Sequence, residues 1–323
     1  MAILVTGGAG YIGSHVVRQL SEAGEPLIVL DDLSTGYSDA LIYGEKFIKG
    51  NVGDSKLLEL IFHDNEITSV MHFAASIVVP ESVTNPIKYF QNNTVNALAL
   101  IESCAKHKVK NFIFSSTAAV YGSPEFGLAS EKSALSPVNP YGHSKLMSEF
   151  ILNDVSLVSE MKYVILRYFN AAGADPKSRM GQRSLNATHL IKIACEAAVG
   201  KRSGIEIFGD DYETPDGTCL RDYIHIEDLA QAHLLALKYL RKGGESTVLN
   251  AGYGKASSVL EVIKAVEEVS KKKINVEIAQ RRPGDPAKLV AESKKIRELL
   301  GWQPVNDDLL KIVSDAFAWE QKL

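Results

Sequence analysis

Short apolar runs alternate with longer amphipathic stretches through the first half of the chain. Residues 2–6, 27–30, 47–49, 70–74, 111–116 and 163–168 are brief and almost continuously apolar, the pattern of strands covered on both faces. Between them, residues 12–23, 56–65, 86–107 and 140–160 carry helical periodicity. Pro86 and Pro140 suit first helical positions, and Gly24 suits the residue just past a helix end. Strict strand–helix alternation predicts an α/β fold built on a doubly wound parallel sheet with right-handed crossovers.

After Ala171 the pattern loosens. A polar connection over 171–183 leads to a helix at 189–199, an apolar run at 205–208 and a turn-rich loop at 209–217. A strand at 221–226 and a helix at 226–240 follow, then a helix at 257–269, a strand at 275–279 and a last helix toward Trp319. The expected organisation is a first domain over 1–170, to which the chain returns around 219–241, and a smaller mixed α/β domain over 171–323.

Composition narrows the function classes. The 323 residues are 46% hydrophobic and 23% charged, an ordinary globular balance in a chain long enough to bury a core without disulfide or metal staples. A net charge of −4 and the lack of a basic stripe exclude a nucleic-acid partner. No apolar run reaches the ~18 residues of a membrane span, and Met1 leads into an apolar strand with no basic leader, so no membrane partner is expected. Cys104, Cys195 and Cys219 are far apart with no CxxC pair, the usage of a reducing cytoplasm. The eight histidines are dispersed, so no metal is expected; Lys271–Lys273 reads as a solvated helix end.

Residues 6–14, Thr-Gly-Gly-Ala-Gly-Tyr-Ile-Gly-Ser, join the first strand to the first helix. Gly8, Gly10 and Gly13 satisfy GxGxxG, and Gly7, Gly10 and Gly13 satisfy GxxGxxG. Such a loop needs glycine so that backbone N–H groups can approach a pyrophosphate resting on the helix N-terminus. Asp31, eighteen residues past Gly13, sits where the second strand ends and can accept hydrogen bonds from ribose hydroxyls. Asp31 and Asp32 together would repel a 2′-phosphate, which favours NAD over NADP. Strand, loop, helix and acid in this order predict a Rossmann dinucleotide site.

Tyr141-Gly142-His143-Ser144-Lys145 opens the helix predicted at 140–160, and residues four apart share a helix face. A tyrosine ionises near pH 10, so action as a base near neutrality requires about 4 kcal/mol of preferential phenolate stabilisation. A nearby lysine cation and a cationic nicotinamide are suitable sources. Thr117 ends the strand at 111–116, the ligand-facing edge of an open α/β sheet, and its hydroxyl could relay a proton to Tyr141.

With these motifs the chain resembles the extended short-chain dehydrogenase/reductase family, and within it the nucleotide-sugar epimerase branch. The resemblance runs from Ile3 to about Trp302, through residues 6–15, 112–122, 139–145, 166–170, 221–229 and 282–287. It implies that Thr117, Tyr141 and Lys145 are the catalytic group. It implies further that Gly7, Gly10, Tyr11, Ile12, Gly13, Asp31, Asp32, Asn51, Val52, Phe73, Ala74, Asn92, Ser115, Tyr141, Lys145 and Phe169 contact NAD. Asn51 stands where the family usually has an acid, and Ile77 where some members carry a lysine. For the nucleotide sugar the implied contacts are Thr117, Tyr141, Asn170, His189, Leu190, Phe208, Arg221, Arg282 and Asp285. Two arginines from separate segments suit a pyrophosphate, because guanidinium groups grip phosphate oxygens in a bidentate fork.

The implied reaction interconverts UDP-glucose and UDP-galactose by oxidation at C4 and re-reduction on the opposite face. UDP-N-acetylhexosamines are an open second substrate class, with Lys288 or Leu289 at the position governing access. The alternatives are a nucleotide-sugar 4,6-dehydratase and a non-catalytic NAD sensor. Dehydratases of this family place Asp-Glu directly after the Thr; here Ala118 and Ala119 cannot transfer a proton. A sensor needs only the glycine loop and Asp31. The family also implies a homodimer, with helices near 86–107 and 140–160 as the interface.

Overall fold

The computed structural model describes every residue of the chain except Leu185, Asn186 and Pro283. The chain divides into two compact units. The first comprises Met1–Val120, Pro137–Arg167 and Ala230–Leu249; the second comprises Tyr121–Ser136, Tyr168–Leu229 and Asn250–Leu323. The pattern-based boundary at residue 170 thus lies three residues beyond the packed one, and the returning segment is Ala230–Leu249 rather than 219–241. Residues 121–136 belong with the second unit, which the alternation of runs gave no reason to expect.

The first unit is built on a seven-stranded sheet. Its spatial order is Thr247–Ala251, Lys162–Tyr168, Asn111–Thr117, Ile67–His72, Ala2–Thr6, Leu27–Asp31 and Lys46–Lys49. Ala2–Thr6 pairs in parallel with both Leu27–Asp31 and Ile67–His72, so strand order reverses about the first strand. Ligands of doubly wound sheets bind at such a switch point, outside the carboxyl ends of the strands. Leu4, Val70, Phe112 and Ile165 of the sheet pack with Leu58, Ile61, Leu100, Ile101 and Leu152 of the helices Ser55–Asp64, Asn96–Lys106 and Pro140–Leu157. Each such side chain contributes about 1.5–3 kcal/mol by leaving water.

The helix expected at 86–107 is a composite. Pro86–Tyr89 and Asn96–Lys106 are α-helical, and Phe90–Val95 between them is a π turn, a feature common at functional sites.

In the second unit, Leu220–Arg221 pairs antiparallel with Ser257–Ser258 and parallel with Lys288–Ala291, which also pairs with Leu128–Ala129. Val276–Ala279 pairs with Ile205–Phe208, and Tyr223–His225 with Asn170–Ala172. The single strand expected at 221–226 therefore breaks at Asp222. Its buried carboxylate accepts the backbone N–H groups of Tyr253 (3.0 Å), Gly254 (2.8 Å) and Ala291 (3.1 Å), so the residues on its two sides serve different sheets. Among the described residues, no helix is long and apolar enough to cross a membrane.

Candidate active site

The glycine loop follows Ala2–Thr6 at the switch point. Gly7 has φ +71°, and a Cβ there would collide with the backbone of Phe73 and Ala74; one on Gly13 would strike the carbonyl oxygen of Gly7. The loop can therefore lie against the end of Ile67–His72 only as glycine. The helix Tyr11–Glu22 begins at Gly10 with no side-chain cap and no acid in its first turn. Its leading N–H groups and the positive end of its dipole suit an anion.

Asp31 accepts the N–H groups of Ala9 (2.9 Å) and Leu33 (2.8 Å). Burial raises its pKa above the ordinary carboxylate value against the pull of those two bonds. Asp32 is exposed and accepts from Ser34 N (2.9 Å) and from Asn51 Nδ2 (3.2 Å). Asn51 in turn accepts from Gly53 N (2.8 Å) and Asn96 Nδ2 (3.1 Å). An acid at position 51 would face Asp32 with like charge, whereas the amide donates to it and still accepts. Val52 beside it is buried.

The π turn completes this edge. Asn92 accepts from Asn96 (3.1 Å) and donates to Ser76 Oγ (3.0 Å). Buried Asn93 accepts from Ser76 N (2.7 Å) and donates to Ser76 O (2.9 Å) and Ser144 Oγ (3.0 Å). A π turn lets two consecutive asparagines reach one loop and one helix, and the part Asn93 plays is not legible in a sequence whose periodicity reads as a plain helix. Phe73 packs on His233, ring centroids 4.9 Å apart. A Gly-rich cradle, an uncapped helix start, a carboxylate at the second strand and an amide edge fit a dinucleotide such as NAD.

Thr117, Tyr141 and Lys145 are brought together and buried. Asn139 caps the helix of Tyr141 and Lys145 by accepting Gly142 N at 2.9 Å, and Pro140 occupies its first turn. A Cβ on Gly142 would come within 2.8 Å of the Ala119 carbonyl oxygen, so glycine lets the helix start press against the turn that follows Thr117. The Thr117 hydroxyl accepts the N–H of Ala119 at 3.1 Å; burial raises the pKa of the Tyr141 phenol above the ordinary value, and Thr117 beside it opposes the rise. The protein alone therefore does not ionise Tyr141 at neutrality. Lys145 Nζ lies 4.3 Å from the Phe114 ring centroid. Burial pushes its pKa down to about 7, with Glu149 opposing the shift. Ser115 is buried within the strand Asn111–Thr117.

The second unit holds the remaining candidates, Phe169 among them and buried. Arg221 donates to Asp285 (2.9 Å) and to the carbonyl of Pro286 (2.8 Å), and the Arg282 guanidinium lies 3.7 Å over the Phe208 ring. Arg221, Phe208, Arg282 and Asp285 thus form a cationic aromatic corner with Asp285 aligning Arg221. Pro283 of the same motif lies outside the described residues. Asn170 donates Nδ2 to the Asp222 carbonyl (3.2 Å); His189 pairs with Gln182 (2.8 Å), precedes the helix that Leu190 begins, and has its pKa lowered by burial. Leu289 is in register with Arg221 and shares its face of the sheet, while Lys288 is level with Leu220 and packs on Gly127.

Residues 3–252 match the profile of the NAD dependent epimerase/dehydratase family. The chain is 52% identical over 321 residues to a UDP-glucose 4-epimerase of Azospirillum brasilense, covering 99% of this chain and 92% of that one. A solved UDP-glucose 4-epimerase from Brucella ovis in complex with NAD superposes with TM-score 0.95 at 40% identity, covering 98% and 97% of the two chains. The UDP-Glc/GlcNAc 4-epimerase structure from Campylobacter jejuni superposes with TM-score 0.88 at 50% identity, covering 100% and 99%. The fold, the glycine loop and these matches agree: the chain belongs to the NAD dependent epimerase/dehydratase family.

Proposed function

We propose that the chain interconverts UDP-glucose and UDP-galactose as an NAD-dependent 4-epimerase. The observation that carries this reading is the buried Thr117–Tyr141 pair at the carboxyl edge of the sheet, followed by two side chains that cannot transfer a proton. NAD, when bound, supplies the acceptor and donor for the C4 hydrogen. Gly7, Gly10, Tyr11, Ile12 and Gly13 hold its pyrophosphate, Asp31 and Asp32 its ribose, and Asn51, Val52, Phe73, Ala74, Asn92, Ser115 and Phe169 the rest of its length. Tyr141 takes the proton of the C4 hydroxyl as general base and returns it to the 4-keto sugar as general acid. Thr117 hydrogen-bonds the same hydroxyl, and Lys145 supports the phenolate by its charge. Arg221 and Arg282 bind the UDP phosphates, with Asp285 aligning Arg221. Phe208, Asn170, His189 and Leu190 complete the nucleotide contacts. Rotation of the 4-keto sugar between the two transfers requires that affinity reside in the UDP portion and that the hexose be held loosely.

A 4,6-dehydratase must also remove the C5 proton and expel the C6 hydroxyl, which needs an acid and a base where Ala118 and Ala119 stand. A chain half identical to this one is a UDP-Glc/GlcNAc 4-epimerase, so UDP-N-acetylhexosamines belong in the same assay. We propose further a homodimer, in which a second copy covers the exposed Val83, Ile87, Leu98, Met147 and Phe150 of the segments Val79–Lys106 and Pro140–Leu157. Three buried free thiols fit a cytoplasmic setting.

The decisive experiment incubates the purified protein with UDP-galactose, with and without added NAD, and identifies the product. UDP-glucose is expected. A 4-keto-6-deoxy sugar transfers the chain to the dehydratases, and unchanged substrate under both conditions supports a sensor.

A further inference from the structure

Glu149 lies one helical turn beyond Lys145, two beyond Tyr141, and is buried. Its carboxylate accepts Arg167 Nε at 3.1 and 3.2 Å and Arg167 Nη2 at 2.6 Å, and it accepts the Ser116 hydroxyl as well. Ser116 immediately precedes Thr117, and Arg167 comes from Lys162–Tyr168, the neighbouring strand of the sheet. One carboxylate therefore ties the helix of Tyr141 and Lys145 to two adjacent strands, one of them ending in Thr117.

A buried ion pair is a weak device for stability, since well-packed apolar side chains serve as well or better. What apolar residues could not supply is a carboxylate held by two strands at once, one helical turn from Lys145. The groups facing Lys145 are Tyr141 and Glu149 on its own helix, His72 from Ile67–His72 and the Phe114 ring from Asn111–Thr117. Burial pushes His72 down to about 3, so it is neutral and adds no charge. Facing Glu149 from the next strand are Arg167 and Tyr163.

We propose that Glu149 is a positioning residue for the C4 chemistry: gripped by Arg167 and Ser116, it holds the helix of Tyr141 and Lys145 against the strand that ends in Thr117, which sets Thr117 in register with Tyr141 and keeps a carboxylate one helical turn from Lys145. This rests on the reading of Thr117, Tyr141 and Lys145 as the catalytic group.

The test compares Glu149→Gln, Glu149→Asp and Ser116→Ala with the parent chain. The readouts are kcat and KM for UDP-galactose across pH and the ultraviolet tyrosinate titration referenced to Tyr141→Phe. Glu149→Gln keeps the shape and removes the charge, so Lys145 loses its proton earlier. The alkaline limb of kcat is expected to move about one pH unit toward acid, while KM and retained NAD stay within about twofold. Glu149→Asp keeps the limb in place whatever its activity. Ser116→Ala keeps both charges and lowers kcat about threefold at constant KM through looser register. A Glu149→Gln limb that stays with the parent overturns the proposal. Should that variant not fold, a full parental kcat in Ser116→Ala overturns it instead. A parent chain that does not epimerise sinks the functional reading, and the tyrosinate titration of Tyr141 in Glu149→Gln still tests the charge coupling.

Discussion

The backbone N–H of Ala9 donates to the Asp31 carboxylate at 2.9 Å, so the acid at the end of the second strand also fixes the glycine loop after the first. Asp31→Ala therefore removes the proposed ribose partner and loosens the glycine loop together. A hydrogen bond to a charged group contributes about 1.5–3 kcal/mol, which predicts NAD affinity about 10- to 150-fold weaker. Isothermal titration of the NAD-depleted protein measures this. Parental affinity in the variant would separate Asp31 from the cofactor.

Tyr141→Phe is expected to lower kcat by about 10²–10⁴ with NAD content unchanged, the range general acid–base catalysis supplies. Thr117→Val should cost less, because Tyr141 remains to take the proton. Product formation read beside NAD content after gel filtration distinguishes lost chemistry from lost cofactor. Retained turnover in Tyr141→Phe removes Tyr141 as the base.

Gly142→Ala places a methyl group against the Ala119 carbonyl oxygen, where a Cβ would come within 2.8 Å. The helix start must shift away from the turn after Thr117. A displacement near 1 Å at a reacting group costs up to about 10²-fold in rate, so kcat should fall with bound NAD preserved. Parental kcat in this variant shows that the contact yields without moving Tyr141.

Lys145 gives the ligand-free protein a signature in stability. Its folded pKa is near 7, against 10.5 for an unperturbed lysine. Between those values the unfolded chain binds more protons than the folded one, so stability rises with pH across that window, at most about 1.4 kcal/mol per pH unit. Below pH 7 both states hold the proton and the burial cost is fully present. Urea unfolding of NAD-depleted protein at pH 7, 8 and 9 should show the rise, and Lys145→Met should flatten it. An equal slope in the variant places the titrating group elsewhere.

Phe150 is 55% exposed and Ile87 77% exposed. If a second copy covers them, Phe150→Asp converts the dimer to a monomer by sedimentation velocity. Unfolding free energy per monomer changes by no more than about 0.5 kcal/mol, as for surface sites generally. A parent protein that already sediments as a monomer rejects the dimer.

Much of the proposed site is legible because its chemistry is local. The glycine loop, Asp31 and the Tyr141–Lys145 spacing each lie within one strand-to-helix connection or one helical turn, where the backbone alone determines what can be near what. The supporting groups were not legible. Asn93 reaches Ser76 and Ser144 through a π turn inside what reads as a plain helix, and Glu149 meets Arg167 and Ser116 across three elements. Asp222 divided a strand whose sequence looks continuous, because its buried carboxylate gathers N–H groups from positions 253, 254 and 291.

The amino-acid order by itself determined the alternation of strand and helix, the place of the glycine loop, the acid that follows it, and the absence of a proton carrier at positions 118 and 119. These depend on periodicity, glycine and side-chain chemistry, all carried by neighbouring residues. Only tertiary packing decided that Thr247–Ala251 closes the edge of the sheet beside Lys162–Tyr168, that Arg221 is aligned by Asp285, and that Glu149 is gripped by Arg167 and Ser116. Each of those couples segments far apart in the chain, and the sign of a buried charge's effect depends on what surrounds it once water has been excluded.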